Sequence, residues 1–290
     1  MVQPRSAADT RGAAQSRVRL ELLTELVRKD LKVKYKNSAL GFIWSLANPL
    51  LYLAVFSLVF SVLLPNGVPS FAVLFMAGFL VWNFFNLATL TATGSVVGNA
   101  NLVRKVRFPR VVLPLSSVGF SGVHFLLQLL VLFAVLVPFY PAAFGPQLWL
   151  LVPALAVAVT VTVAMSLLAS ALNVRYRDVE HLLEITLLAG FWLTPIVYPV
   201  TVIRDQVAGH GWLFDLYMAS PMTAVVVAMQ RAIYVHPVVT VDGKPRQILP
   251  ADGYGFYLTW LGVAGAVALV LLAVGLWTFR RLQADFAEEL

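Results

Sequence analysis

A long uncharged stretch in the middle of the chain restricts the fold more than any other feature. Residues 111–174 contain no Asp, Glu, Lys or Arg, and a proline cluster from Pro138 to Pro146 divides them. A helix crosses the roughly 30 Å hydrocarbon core of a bilayer with about twenty apolar residues, so the stretch is long enough for two crossings. Only 12% of the chain is charged, too little to cover a soluble domain of this length. The sequence therefore predicts an all-α polytopic membrane protein.

Further apolar runs of similar length predict six transmembrane helices. The predicted spans cover residues 41–64, 71–93, 111–137, 148–172, 182–198 and 258–279. They belong to a transmembrane domain of residues 39–280. This domain follows a flexible N-terminus (1–19) and an amphipathic helix (20–38), and it precedes a short tail (281–290).

The distribution of Lys and Arg predicts the orientation. Seventeen of the 21 basic residues fall in the N-terminal segment, the loops 94–110 and 173–181, and the tail, whereas four are spread over the long loop 199–257. Because short loops rich in Lys and Arg stay in the cytoplasm, both termini are predicted to be cytoplasmic. The net charge of +7 is thus explained by cytoplasmic loops, and we expect no binding to nucleic acid.

The segment 212–236 is apolar but is not predicted to be a seventh span, because Asp215, Pro221 and Arg231 interrupt it. Ser220 and Pro221 are typical of the N-cap and first residue of a helix, which predicts a short amphipathic helix ending near Tyr234. We expect re-entrant helices in the outer leaflet between spans five and six. An outer gate and a passive cap on the bundle are both compatible with this pattern.

Residues 20–36 have the periodicity of an interfacial helix. Leu20, Leu23, Val27 and Leu31 fall on one stripe, and charged residues fill the opposite face. This pattern is typical of a helix that lies in the membrane plane with its cations near lipid headgroups, although positive charge that only sets the orientation would also fit. The cations assigned to headgroup contact are Arg28, Lys29, Lys32, Lys34 and Lys36.

The chain carries no motif for energy conversion or catalysis. Cysteine is absent, and no phosphate-binding loop, zinc-protease motif or serine-hydrolase motif occurs. Two ionisable residues fall within spans: His124, which we expect to bond to a neighbouring helix, and Glu184, which we expect near headgroups or beside Arg175 or Arg177. We therefore expect no catalytic residue, no metal site and no cofactor in this chain, and energy must enter from a partner.

Two short basic loops, 98–110 and 173–180, are the places where a partner would act. Asn99 or Asn101 is suited to cap a short helix in the first loop, and Asp178 is suited to cap span five after the second. From composition alone, both loops are better explained as solvated cytoplasmic connections.

These loops are also where the sequence resembles a known family. The matching stretches are residues 30–49, ending Trp-Ser-Leu-Ala-Asn-Pro; 99–110, Asn-Ala-Asn-Leu-Val-Arg-Lys-Val-Arg-Phe-Pro-Arg; 172–178 with Thr-Pro-Ile-Val-Tyr-Pro at 194–199; and Ser-Pro-Met at 220–222. Together they resemble the transmembrane subunit of an ABC-2 type transporter. The closest resemblance is to bacterial exporters of lipid-linked polysaccharides such as O-antigen, teichoic acid and galactan.

The resemblance implies a homodimer in the bacterial inner or plasma membrane, driven by two copies of a separate ATPase subunit that binds ATP and Mg²⁺. The helix at residues 20–38 would be a gate helix that meets the diphosphate headgroup of a polyprenyl-linked substrate. The residues implied in coupling to the ATPase are Asn99, Asn101, Leu102, Val103, Arg104, Lys105, Arg107 and Phe108 in the first loop, and Arg175, Tyr176, Arg177 and Asp178 in the second.

A glycan path needs side chains that pack on sugar rings while remaining partly polar, a property of aromatic residues. The candidates are Trp82, Asn83, Phe84, Phe85, Asn86, Phe191, Trp192 and Tyr198, although core or lipid-facing aromatics would look the same. Two other functions remain open from sequence: an ABC-2 exporter of drugs or small lipids, and an intramembrane enzyme acting on polyprenyl lipids.

Overall fold

A computed structural model describes residues 20–33, 43–63, 67–106, 108–236, 238–241 and 244–290, most of which are helical. The predicted flexible N-terminus, the end of the amphipathic helix and the first residues of span one lie outside the described residues. The helices are α1 (20–33), α2 (Ile43–Leu58, followed by a π-helical turn at Val59–Leu63), α3 (Phe71–Gly98), α4 (Ala100–Lys105), α5 (Val112–Phe139), α6 (Leu151–Arg175), α7 (Val179–Leu193), α8 (Val200–Gln206), α9 (Gly211–Met218), α10 (Pro221–Ile233), α11 (Gly253–Leu282) and α12 (Phe286–Glu289).

Four helices in the described part of the chain are long and apolar enough to cross a membrane: α3, α5, α6 with the 3-10 turn before it, and α11. They coincide with four of the six predicted spans, and the chain is a membrane protein. The predicted spans 41–64 and 182–198 correspond to the shorter helices α2 and α7. The count of six therefore stays a prediction.

The boundaries of α7 differ from the predicted span 182–198. The helix begins at Val179 and ends at Leu193, after 15 residues. Thr194 has an extended backbone (ψ 140°) because a residue that precedes proline is disfavoured in the helical conformation. At 1.5 Å per residue, α7 is about 22 Å long, shorter than the bilayer core.

The backbone beyond α7 receives hydrogen bonds from side chains of other segments. The Tyr217 hydroxyl donates to the Leu193 carbonyl at 2.9 Å, and Gln230 Nε2 donates to the Pro195 carbonyl at 2.8 Å. The Tyr198 hydroxyl also lies 2.9 Å from the Leu193 oxygen. The bonds to Leu193 satisfy a carbonyl that the end of α7 leaves without an intrahelical partner, and the bond to Pro195 satisfies one in the segment that follows.

Helix α3 lies at the centre of the bundle and contacts α2, α5, α6, α7 and α10. Small residues allow the closest approaches. A Cβ added at Gly78 would lie 2.9 Å from Val226 of α10, and one added at Gly275 of α11 would lie 2.7 Å from the Ala164 carbonyl oxygen of α6. Such positions are typical of helix pairs in membranes, where association depends on close packing.

Helix α10 begins at Pro221 with Ser220 at the N-cap position, as the sequence predicts, and ends at Ile233. It meets α9 at a bend of 86°. The sequence of α10 is amphipathic as predicted, yet the helix is buried on nearly every side within the bundle. The Tyr234 hydroxyl donates to the Pro69 carbonyl at 2.7 Å, which attaches the end of this helix to the start of α3.

A β-hairpin interrupts the otherwise helical fold between α10 and α11. Strand β1 (Val238–Val241) pairs antiparallel with β2 (Lys244–Gln247). An Asp-Gly pair joins the strands in the sequence and is a strong hairpin signal. The expectation of an all-α chain missed this element. The hairpin lies at the side of the bundle where α3 and α11 begin, and α4 lies at the side where they end. We name these two sides the hairpin end and the α4 end.

Candidate functional site

Helix α4 joins the two long helices α3 and α5. Asn99 ends α3 and occupies the N-cap position of α4, where its carbonyl accepts from the backbone N–H groups of Leu102 and Val103 at 2.9 and 3.1 Å. The predicted side-chain cap is not formed: Asn99 Nδ2 donates back to the Ser95 carbonyl at 2.8 Å, and Asn101 is exposed on the helix. The short helix is thus attached directly to the end of α3.

The two faces of α4 differ in chemistry. Val103 is buried and Leu102 is half-buried, whereas Arg104 and Lys105 are exposed. Phe108, just beyond the helix, is half-buried and packs against a buried apolar cluster that includes Val103. The predicted coupling residue Arg107 lies outside the described residues. The exposed cations therefore stand on a helix whose other face is embedded in the bundle.

The second predicted coupling segment lies at the end of α6. Arg175 is the last residue of that helix, and its guanidinium lies 5.8 Å from the centroid of the exposed Tyr176 ring. Arg177 is exposed, and Asp178 occupies the N-cap position of α7 without a side-chain hydrogen bond. The helix begins where Asp178 predicts it, but the carboxylate does not bond to its backbone.

The structure brings both basic segments to the α4 end. Asn173 Nδ2 donates to the Thr93 carbonyl at 3.1 Å, which joins the last turns of α6 and α3. Val103 and Val174 share one buried cluster at this end. Its buried members are Val96, Val103, Leu113, Leu167, Ala171, Val174, Phe279 and Phe286, and we name it the α4-end cluster. Arg104 and Arg177 have no carboxylate within ion-pair distance among the described residues.

Helix α1 packs beside this end with its apolar face inward. Leu26 contacts the α4-end cluster, and Val27 lies so close to Gly119 of α5 that a Cβ there would be 2.9 Å away. Lys29, Lys32 and Arg28 are exposed, and Arg28 pairs with Glu25 at 3.0 Å. Lys34 and Lys36 lie outside the described residues. Of the predicted apolar stripe, Leu23, Val27 and Leu31 are half-buried, whereas Leu20 is exposed. The membrane-plane location of α1 stays a prediction.

Two of the predicted channel aromatics line an apolar groove of about 420 Å³ between α3, α6, α7 and α10, and two more continue from it. Trp82 and Phe85 line it, with ring centroids 5.6 Å apart. Phe191 lies 6.4 Å from Trp82 and 5.5 Å from Trp192. Trp192 is 60% exposed on the outer side of α7. These rings form a continuous series from the bundle interior to its surface.

The remaining channel candidates lie elsewhere. The Phe84 ring is tilted against that of Phe125 of α5, with centroids 5.4 Å apart, and Asn83 Nδ2 lies 3.4 Å from Gln128 Oε1 of α5. Asn86 is half-buried. Tyr198 bonds to the end of α7 through its hydroxyl. Phe84 and Asn83 thus face the α3–α5 contact, away from the groove.

The two ionisable residues of the spans have ordinary surroundings. His124 is buried, with its ring 4.9 Å from that of Phe120. Glu184 is exposed and lies 3.8 Å from His181 Nδ1. The alternative pairing with Arg175 or Arg177 is not formed among the described residues, and the location near headgroups stays a prediction. Within the described ranges, no group of three His, Asp or Glu residues has the geometry of a metal site.

Sequence reasoning missed two contributors to the α4 end. Phe286 is an aromatic residue in a tail rich in acidic residues, and it is buried in the α4-end cluster. Asn173 falls within the matching stretch 172–178 without a role of its own, yet its side chain bonds α6 to α3. Two signals in the sequence point to them: an aromatic residue within a charged tail, and an amide side chain at the end of an apolar span.

Comparison with known proteins assigns the family. The model of the ABC-2 type transporter family matches residues 21–234, and the chain belongs to that family. The resemblance found in the sequence is confirmed.

Three curated relatives have been named O-antigen export system permease protein RfbA. Two, from Klebsiella pneumoniae, are 29% and 28% identical, each over 92% of this chain and 94% of their own length. One from Myxococcus xanthus is 30% identical over 93% of this chain and 95% of its own length.

Proposed function

We propose that this chain is the permease subunit of an ATP-binding cassette exporter that carries lipid-linked polysaccharide out of the cytoplasm. The observation that carries the proposal is its similarity to O-antigen export permeases over 92% of its length or more. Neither a drug exporter nor an intramembrane enzyme is favoured by these relatives. ATP and Mg²⁺ would bind a separate nucleotide-binding subunit present in two copies.

Helix α4 is the proposed site of coupling. Its exposed Arg104 and Lys105 extend from a helix attached to both α3 and α5, so a displacement of α4 would be transmitted to two long helices. Arg175 and Arg177 at the same end would form the smaller contact. Cations without a carboxylate partner among the described residues suit an acidic cleft on a partner, where complementary charge speeds and orients association.

The export pathway would lie between two copies of the chain. Helix α7 supports this proposal because its outer face carries exposed Leu182, Ile185, Leu188 and Trp192, while Phe191 and Trp82 continue the aromatic series inward. A hydrated glycan loses water partners in hydrocarbon, and aromatic rings facing the pathway would pack on sugar C–H surfaces. The cations of α1 would meet the diphosphate headgroup of the substrate in the cytoplasmic leaflet.

Co-purification tests the coupling assignment. An affinity-tagged permease with Arg104→Glu and Lys105→Glu is expressed with its nucleotide-binding subunit, and the retained subunit and surface polysaccharide are quantified. We expect both to fall by tenfold or more, because truncating or reversing central charges at an interface typically costs about 2 kcal/mol or more.

Arg281→Glu is the matched control, since Arg281 is an exposed cation at the same end that lies 5.2 Å from the Trp277 ring and belongs to neither basic loop. If the variant with Arg104→Glu and Lys105→Glu retains the subunit as fully as Arg281→Glu does, α4 is not the docking element. A purified permease that converts polyprenyl lipids without any ATPase would overturn the transport assignment itself.

A further inference from the structure

The tail beyond α11 folds against the α4 end of the bundle. After α11 ends at Leu282, α12 places Phe286 in the α4-end cluster with 2% of its surface exposed. Its ring meets that of Phe279 at 90°, with centroids 5.4 Å apart. The cluster also contains Val103, and α12 contacts both α4 and α6. The tail therefore supports the buried face of the proposed coupling helix.

Arg110 provides a second attachment from the segment that connects α4 to α5. Its guanidinium donates to the Gln283 carbonyl, and it lies 6.0 Å from the centroid of the Phe286 ring. One side chain thus contacts both the backbone at the end of α11 and the aromatic residue of α12. The tail is held by apolar packing and by a charged donor together.

Helix α4 depends on such support because it contains only six residues. A helix of this length is not stable alone, since nucleation fixes several residues for each hydrogen bond gained. Val103 is its only fully buried residue. The direction in which Arg104 and Lys105 extend is therefore determined by the surface beneath α4, and Phe286 is part of that surface.

We propose that α12 is a positioning element that holds α4 in its docking orientation, and that the nucleotide-binding subunit meets a surface composed of both. This inference rests on the proposed function of α4. Glu288 and Glu289 are exposed on α12, and no ion pair joins them to Arg104 or Lys105 among the described residues. The partner would therefore meet a basic edge and an acidic edge side by side.

Phe286→Ala tests the proposal without changing any charge. In the complete transporter, we expect a normal membrane level but a roughly two- to thirtyfold loss of ATPase retention, the range by which residues remote from a site alter coupling. The ATP hydrolysed per glycan exported should also rise. Phe286→Leu, which keeps a smaller apolar side chain in the cluster, should move both values back toward those of the unchanged protein.

Phe139→Ala is the matched control, because Phe139 is 79% exposed at the far end of α5 and loses the same ring. If Phe286→Ala retains as much ATPase and hydrolyses as little ATP per glycan as Phe139→Ala does, the proposed role of α12 is wrong. This outcome differs from a failure of the proposed function, in which Arg104→Glu would also retain the ATPase fully.

If Phe286→Ala lowers the amount of permease in the membrane, a thiol probe still tests the proposal, because its labelling rate is measured per molecule. The chain contains no cysteine, so Val103→Cys introduces one thiol on the buried face of α4. In isolated membranes we expect it to resist a hydrophilic maleimide and to react several times faster per molecule when combined with Phe286→Ala. Equal protection in both backgrounds would show that α12 does not hold α4 and would overturn the proposal.

Discussion

Helices α3 and α7 are both apolar, yet they bury very different fractions of their residues. Eighteen of the 28 residues of α3 are buried, whereas only Leu183 and Leu187 are buried among the 15 of α7. In lipid, hydrophobicity alone does not draw helices together, so packing decides which helix forms the core. Helix α3 is the scaffold of the chain, and the outer face of α7 remains for lipid or for the proposed second copy.

The largest expected difference comes from truncating a ring in α3. Phe75 is almost fully buried, and its ring lies 3.8 Å from Phe56 and 5.2 Å from Phe79. We expect Phe75→Ala to lower the free energy of unfolding by about 3–5 kcal/mol, since it leaves a cavity. The change is measured as the thermal midpoint of the detergent-purified protein.

Leu188→Ala on the outer face of α7 is the control and should change that free energy by no more than about 0.5 kcal/mol. Comparable losses in the two variants would contradict the assignment of α3 as scaffold.

Overpacking should give the next largest effect. Gly78 of α3 approaches α10 so closely that Gly78→Leu must displace Val226 or Gln230. We expect a loss of about 1–3 kcal/mol, measured in the same way. Ala189→Leu, at an exposed position of α7, adds similar volume without an opposing atom. A midpoint for Gly78→Leu as high as that of Ala189→Leu would mean that α3 and α10 are not packed so tightly.

The smallest effect on the protomer should be the most informative about assembly. Leu188→Cys places the only thiol of the chain on the outer face of α7 and should leave its stability almost unchanged. In membranes, mild oxidation should then yield a covalent dimer, since the proposed pathway lies between two α7 helices. Leu130→Cys, on the exposed side of α5, is the control. If Leu130→Cys yields a covalent dimer and Leu188→Cys does not, the interface lies on α5 and not on α7.

The sequence predicted the long helices because an uncharged run of sufficient length has few alternatives in water or lipid. It also predicted the start of α10, since Ser220-Pro221 acts locally. It did not predict the end of α7 correctly: hydropathy continues through residues 194–198, but Pro195 stops the helix earlier. The Asp-Gly pair before Lys244 is a hairpin signal, which the expectation of an all-α chain does not include.

The candidate site was predictable only in part. The two basic loops lie together, as the resemblance implies, because both follow helices that end at the same side of the bundle. The separation of Phe84 from Trp82, two residues apart, follows from helical geometry, which turns neighbouring residues to different faces. The place of Phe286 depends on how α12 folds back, a long-range contact that no local pattern encodes.

The shortness of α7 has a consequence for the lipid around it. A helix of about 22 Å beside a hydrocarbon layer of about 30 Å creates a hydrophobic mismatch, which a bilayer relieves by thinning locally. Tyr217 and Gln230 donate to the Leu193 and Pro195 carbonyls. The helix can therefore end early without leaving these two carbonyl groups unpaired. The membrane should therefore be thinnest beside the proposed pathway, where a polar chain has the shortest distance to cross between headgroup layers.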